Sequence, residues 1–352
     1  MTNYLDIKGQ NVQSVASDPS PVAIGQVWYN TTSNTAKVRG FISANTWATG
    51  ATMPLVGPGQ YLSYASGFGT KDAAVSARGY SPVIPPSTPN VVHYDGSTWT
   101  SHTGYPDGGT SAQGFGLQSA GIVFGGDPTP GPARNYSYDG SAWTSINGPA
   151  LSVYSDMYTG GTTGAAFKTV AAKTSPTAGF TEEWDGTNWS DASATMNTSR
   201  YTSGGTRAGA GGSSAGLIAV GNAGNGPPYS LSTASESYDG SSWTSTPSAS
   251  QARRGMFMSG LTATSGMIYG GRLPGPAPSI PSAFSNGTET YDGTSWTTRA
   301  NGPFHATYLT GTQGGAEGAT TWGGDTEGAS PPSNYVGEFT GVYEGTVTIQ
   351  TS

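Results

Sequence analysis

Short apolar runs recur along this chain, and each ends on small residues: GIVFGG at 121–126, GLIAVGN at 216–222, GMIYGG at 266–271 and ATTWGG at 319–324. GAAFKTVA at 164–171 and DAAVSARG at 72–79 read as degraded copies. Runs this short, closed by glycine, suit buried inner strands whose backbone turns sharply. Ahead of them lie Gly/Ser/Thr stretches such as NTSRYTSGGTRAGAGG at 197–212, long enough for one strand and a return turn.

A second pattern follows each run. YDGSTWT at 94–100 returns nearly unchanged at 138–144, 238–244 and 291–297, with a variant at 184–190. It sets Trp99, Trp143, Trp189, Trp243 and Trp296 apart by 44, 46, 54 and 53 residues, each four positions after Asp95, Asp139, Asp185, Asp239 and Asp292. FISANTW at 41–47 is a weaker version that ends on Trp47. Asp-Gly between strand formers signals a two-residue type I′ hairpin turn. Such a turn pairs Tyr94 with Ser97 and Val92 with Trp99, and leaves Tyr94 and Trp99 diagonal on one face. The same clasp is expected of Tyr138 with Trp143, Trp184 with Trp189, Tyr238 with Trp243 and Tyr291 with Trp296.

The Gly/Ser/Thr strand, the apolar run and the hairpin together amount to four strands in each 45–50 residues, the arithmetic of a propeller blade. Glycine and Thr are set against helix throughout. The composition agrees: 34% of residues are hydrophobic, yet 9 Trp, 19 Tyr and 10 Phe at a net charge of -7 are not the mark of a disordered chain. With no cysteine, disulfides, thiolate metal sites and thiol nucleophiles are excluded. Fourteen thinly spread Lys and Arg argue against nucleic acid as a partner. The opening MTNYLDIKGQ lacks the features of a signal peptide, and no run is long enough for a membrane span, so neither ordinary secretion nor membrane insertion is expected.

The order of apolar run, Gly-Gly, variable loop, Tyr-Asp-Gly and Trp resembles the kelch repeat, in which the glycine pair ends the second strand and the Tyr and Trp fall on later ones. EEWDGTNWSDASATMNTSRY at 182–201 and GQVWYNTTSNTAKVRG at 25–40 look like the kelch-type proteins of marine phages that infect cyanobacteria. That resemblance implies a virion or tail-fibre component, released by lysis. Six runs imply six blades, with seven as the alternative. Five runs are followed by a full word and the sixth only by NYVGEFTG at 334–341. Residues 37–49 are therefore expected to supply the outer strand of the last blade and to close an all-β ring, which removes exposed edges. The expected parts are an attachment segment 1–36, a propeller 37–341 and a tail 342–352.

Nothing in the sequence forms a metal or nucleophilic cluster, so neither cofactor nor metal is expected. His93 and His102 could face each other near one hairpin, but the plainer reading is polar strand or loop positions. The thioether-linked copper radical site of galactose-oxidase-type kelch enzymes needs a cysteine and cannot be built. SYDGSSW at 237–243 differs from a sialidase Asp-box by the missing residue between Asp239 and Gly240. The repeated aspartates read as turn formers that bond their own backbone, not as calcium ligands. The regular tryptophans read as blade packing. The Pro- and Gly-rich loops at 76–90, 125–137, 221–235, 270–287 and 323–334 differ most between units and are expected on one side of the disc. Their Tyr80, Tyr136, Tyr229, Arg272 and Phe284 are the binding candidates. The expected function is a non-enzymatic virion protein, a tail fibre or tail appendage component that uses these loops on host-surface glycans and meets other virion proteins through a terminal segment. The alternatives are capsid decoration and a carbohydrate-active propeller enzyme.

Overall fold

The structure is a computed structural model that describes residues 12–54, 64–77, 79, 91–102, 104–107, 111–126, 135–149, 157–169, 179–201, 211–223, 230–275, 283–326 and 334–349. Every regular element among them is a β-strand. The chain divides into two compact units, Thr46–Phe339 and Met1–Asn45 with Thr340–Ser352.

In the larger unit, antiparallel sheets follow one another along the chain. The first is Ser66–Thr70, Ala73–Ala77, Val91–Tyr94 and Trp99–His102; the second is Gln113–Leu117, Ala120–Phe124, Tyr136–Tyr138 and Trp143–Ser145. The third is Tyr158–Gly161, Ala166–Thr169, Phe180–Trp184 and Trp189–Thr195. The fourth shows three strands among the described residues, Gly216–Asn222, Leu231–Tyr238 and Trp243–Thr246. The fifth is Phe257–Thr262, Ser265–Tyr269, Thr288–Tyr291 and Trp296–Arg299. The sixth runs in the order Thr310–Gly311, Gly318–Trp322, Val336–Ile349, Thr35–Thr49. Of its last two strands, residues 336–339 and 46–49 belong to this unit. There Gly50 donates to the Val336 carbonyl at 2.9 Å, and the Trp47 and Phe339 rings lie 5.3 Å apart.

In five of the sheets the apolar run is the second strand, and the edge is the Gly-, Ser- or Thr-containing strand just before it, the order the sequence spells. Glycine there lets neighbouring sheets approach, and the apolar strand then has sheet on both sides. One sequence expectation needs correction. The two-residue turn is absent: Tyr94 pairs directly with Trp99, and four residues connect them. The Asp95 carboxylate accepts the N–H groups of Ser97 at 2.8 Å and Thr98 at 2.6 Å and both hydroxyls at 2.9 Å. That stabilises a longer loop in which only Gly96 adopts a left-handed φ, 91°. Asp139, Asp185, Asp239 and Asp292 repeat this at 2.7–2.8 Å. These bonds hold all five carboxylates below the ordinary aspartate range, Asp239 and Asp292 at about 2. The direct register still puts both rings on one face, with centroids 4.8, 4.4, 5.7, 4.9 and 5.1 Å apart in the five words.

Successive sheets interlock because a large side chain of one fills the space that a glycine leaves in the next. A β-carbon on Gly121 would sit 2.2 Å from Phe68, on Gly216 2.7 Å from Phe167, on Gly266 2.7 Å from Leu217 and on Gly311 2.8 Å from Phe257. Phe115 joins Ala166 and Trp184 in one cluster. Trp322 of the sixth sheet stands over Gly67 of the first, where a β-carbon would meet it at 2.8 Å. Among the described residues three ion pairs are buried in these layers: Lys168–Glu182 at 2.6 Å, Arg200–Glu236 at 2.5 Å and Arg253–Glu289 at 2.7 Å.

In the smaller unit, Gln13–Val15 runs parallel to Val27–Asn30, which pairs antiparallel with 35–38. Asp18 accepts from Lys37 Nζ at 2.7 Å, Trp28 Nε1 at 3.0 Å and Asn30 Nδ2 at 2.7 Å. Lys37 first, then Trp28 and Asn30, lower its pKa to about 2. Phe41, Val347 and Ile349 are exposed.

Candidate functional site

The second strand of the fifth sheet ends on Gly270 and Gly271, with left-handed φ of 69° and 99°. A β-carbon on Gly271 would lie 2.8 Å from the Arg254 carbonyl oxygen, so only glycine lets the backbone through. Beyond it, Arg272 exchanges backbone hydrogen bonds with Arg254 at 2.7 and 3.1 Å and forms a bridge to Phe284. Its guanidinium carbon lies 4.9 Å from the Phe284 ring centroid and 5.1 Å from that of Tyr308. Tyr64 stacks on Tyr308 at 4.5 Å, the planes inclined by 23°.

The backbone explains why two tyrosines meet here. Tyr64 and Tyr308 each stand two residues ahead of an edge strand with φ of 57°, as do Ser111 at 60° and Gly255 at 62°. Tyr308 donates to the Gly255 carbonyl at 2.7 Å, and Ser111 to that of Tyr64 at 3.0 Å. Bulky residues in this conformation cost about 1 kcal/mol or more each and mark places worth a functional question.

The electrostatics are those of a donor surface. Burial raises the Tyr64 pKa well above the ordinary tyrosine range, Tyr308 and Asp325 add to this, and Arg272 opposes it. Tyr64 is therefore a neutral hydroxyl. Arg272 Nε is buried without a hydrogen-bond partner, and none of the ion pairs among the described residues involves Arg272. A guanidinium held between two rings keeps the N–H groups of its planar edge in position for a ligand.

The structure thus brings together Arg272 and Phe284. Tyr136 lies apart, on the second sheet, its hydroxyl bonded to Asp107 and its ring 5.1 Å from Tyr105. Tyr80 and Tyr229 lie outside the described residues, as does much of each variable loop. Sequence reasoning missed Tyr64 and Tyr308. The available signal was the shared spelling of YASG at 64–67 and YLTG at 308–311.

A concavity of about 420 Å³ lies between the second and third sheets and is lined by Tyr138, Asp139, Trp184 and main chain around Gly121 and Gly186. Tyr138 and Trp184 are buried, so neither ring offers a face to a ligand. His93 and His102 do face each other, with centroids 3.6 Å apart and planes at 14°. Stacked imidazoles present faces, not converging lone pairs, and His93 Nε2 is bonded to the Tyr138 hydroxyl at 2.9 Å. Among the described residues no group of three His, Asp or Glu side chains is placed to hold a metal.

Burial foremost, with His102 adding, lowers the His93 pKa to about 4. The unfolded chain then binds a proton that the folded imidazole refuses, so stability falls as pH drops from about 6.5 toward 4. We expect this residue to account for about 2 kcal/mol of that fall, less than the full shift because the site is partly solvated. Urea melts across that range should show a shallower slope for His93→Gln; equal slopes would refute the assignment.

No protein-family profile matches the chain, and no curated protein matches it. Among solved structures, "Structure of YjhT" matches with a TM-score of 0.60 at 14% identity, covering 86% of this chain and 99% of that one. The architecture is accordingly β-propeller-like. With 197 solved chains matching, the fold is too widespread to choose an activity.

Proposed function

We propose that this chain is a non-enzymatic virion protein of a phage, a six-bladed kelch-like propeller on a tail fibre or other tail appendage whose rim recognises host-envelope glycans. One observation carries the recognition reading: a half-buried arginine, lying over two rings and in no ion pair among the described residues, sits on sheets locked together by ring-into-glycine packing. Preorganisation of that kind lowers the ordering cost of binding. The edge strands SGFGT, QGFGL, YTGG, FMSGLT and TG bring hydroxyl, aliphatic and aromatic groups where a hydrolase would gather carboxylates or arginines.

The six-blade reading is supported by edge strands that touch in sequence order, with Thr310–Gly311 returning to Ser66–Thr70. The kelch reading is supported by the left-handed glycine pairs 125–126, 270–271 and 323–324 at the ends of second strands. The virion reading rests on the likeness of 25–40 and 182–201 to phage proteins. The smaller unit adds to it: its exposed Phe41, Val347 and Ile349 suit a segment covered by a neighbouring subunit.

Antibody labelling of intact virions tests the placement, and retention of the purified protein on host cells tests recognition. We expect label on the tail and saturable retention that competes with phage adsorption. Label confined to the head would turn the reading to capsid decoration, and absence of both label and retention would end it.

A further inference from the structure

We propose that Arg272, clamped between Phe284 and Tyr308, is an oxyanion subsite that takes the carboxylate or phosphate of an acidic glycan, edge-on to the guanidinium. This rests on the glycan-recognition reading above and names the chemistry of its ligand.

Three features converge on it. The guanidinium carbon lies over the Phe284 and Tyr308 rings at 4.9 and 5.1 Å, contacts that do not consume the N–H groups of its fork, which matches two oxygens of a carboxylate or phosphate. That fork is not spent on a protein carboxylate: none of the ion pairs among the described residues uses it, and Nε is buried without a hydrogen bond. Arg272 as a whole is half-buried, not enclosed, so the oxyanion is assigned to the Nη groups of the fork. The clamp is also held rigidly, because Tyr308 is itself backed by Tyr64 at 4.5 Å and Arg272 is pinned by its two backbone bonds to Arg254. Little order remains to be imposed when the ligand arrives. The structural alternative, an arginine retained to complete a core, normally brings a carboxylate partner. Arg200 and Arg253 do so, each with a buried glutamate, and Arg272 stands out against them.

Titration calorimetry of the full chain, with trigalacturonate as the carboxylate probe and inorganic phosphate as the other, tests the assignment. The wild type should bind one of the two, with affinity that weakens as salt rises. Arg272→Gln should lose at least tenfold. Arg272→Lys keeps the charge without the fork and should fall between. Both variants are checked for wild-type melting, and Phe284→Leu serves as the second probe of the clamp if either fails to fold. Trigalacturonate binding assigns an acidic sugar, and phosphate binding assigns a phosphorylated core. Absence of both, or equal affinity in Arg272→Gln, overturns the subsite. If the wild type and Arg272→Gln are retained equally on host cells, the subsite fails while host recognition stands; if the wild type binds a probe but not host cells, the reverse holds.

Discussion

Trp322→Ala should lower the unfolding free energy by about 3–5 kcal/mol, in the range of the large buried aromatics. Trp322 is wholly buried, meets Trp99 edge-on at 5.2 Å and covers Gly67. Its indole N–H makes no hydrogen bond, so the loss is one of packing alone. The residue lies where the sixth sheet meets the first, beside the hydrogen bond from Thr320 Oγ1 to the Lys71 carbonyl at 2.8 Å. A cavity there loosens the contact between the two ends of the series of sheets. Trp143, only half buried, should cost less when truncated. Denaturant unfolding of the two variants checks the ranking; a Trp322→Ala loss below about 1 kcal/mol would contradict the packing described here.

The second large effect is expected at Arg253. Arg253→Met strands Glu289 without its cation, and breaking a buried pair in this way costs about 3–5 kcal/mol. Arg253 also donates to the Gln251, Gly270 and Gly287 carbonyls at 3.5, 3.2 and 2.8 Å, so with Glu289 the single variant leaves four acceptors short of a donor. Adding Glu289→Leu removes the stranded charge, and the double variant should recover about half of the loss. A double variant as unstable as the sum of the two singles would mean that the carboxylate matters chiefly to Ser250, whose N–H it accepts at 2.7 Å.

These two residues also mark how far the sequence could be read. The sheet beside Trp322 was legible, because short apolar runs and a repeated aromatic word obey local rules of spacing. The turn inside the word was misread at Asp95, where side-chain capping of two N–H groups outweighs the twist preference of a two-residue turn. The Arg253–Glu289 pair was not read at all, although Arg200–Glu236 repeats its separation of 36 residues. Charged residues inside a sheet carry no periodic signature, and only the match between two units betrays them. Of the candidate site, Arg272 and Phe284 were found as irregular residues of a variable loop. Tyr64 was not, since its partner lies 244 positions further on and nothing local announces that meeting.

The pairing of residues 46–49 with 336–339 carries a consequence for biogenesis. Trp47 reaches its hydrogen-bond acceptor Thr288 only across 241 residues, and its flanking backbone waits for Val336. During vectorial synthesis this early-made strand of the scaffold therefore stays widowed until residue 336 has left the ribosome. Such long-range pairing is slow, and a nascent chain cut short before 336 keeps a sticky margin open to its siblings.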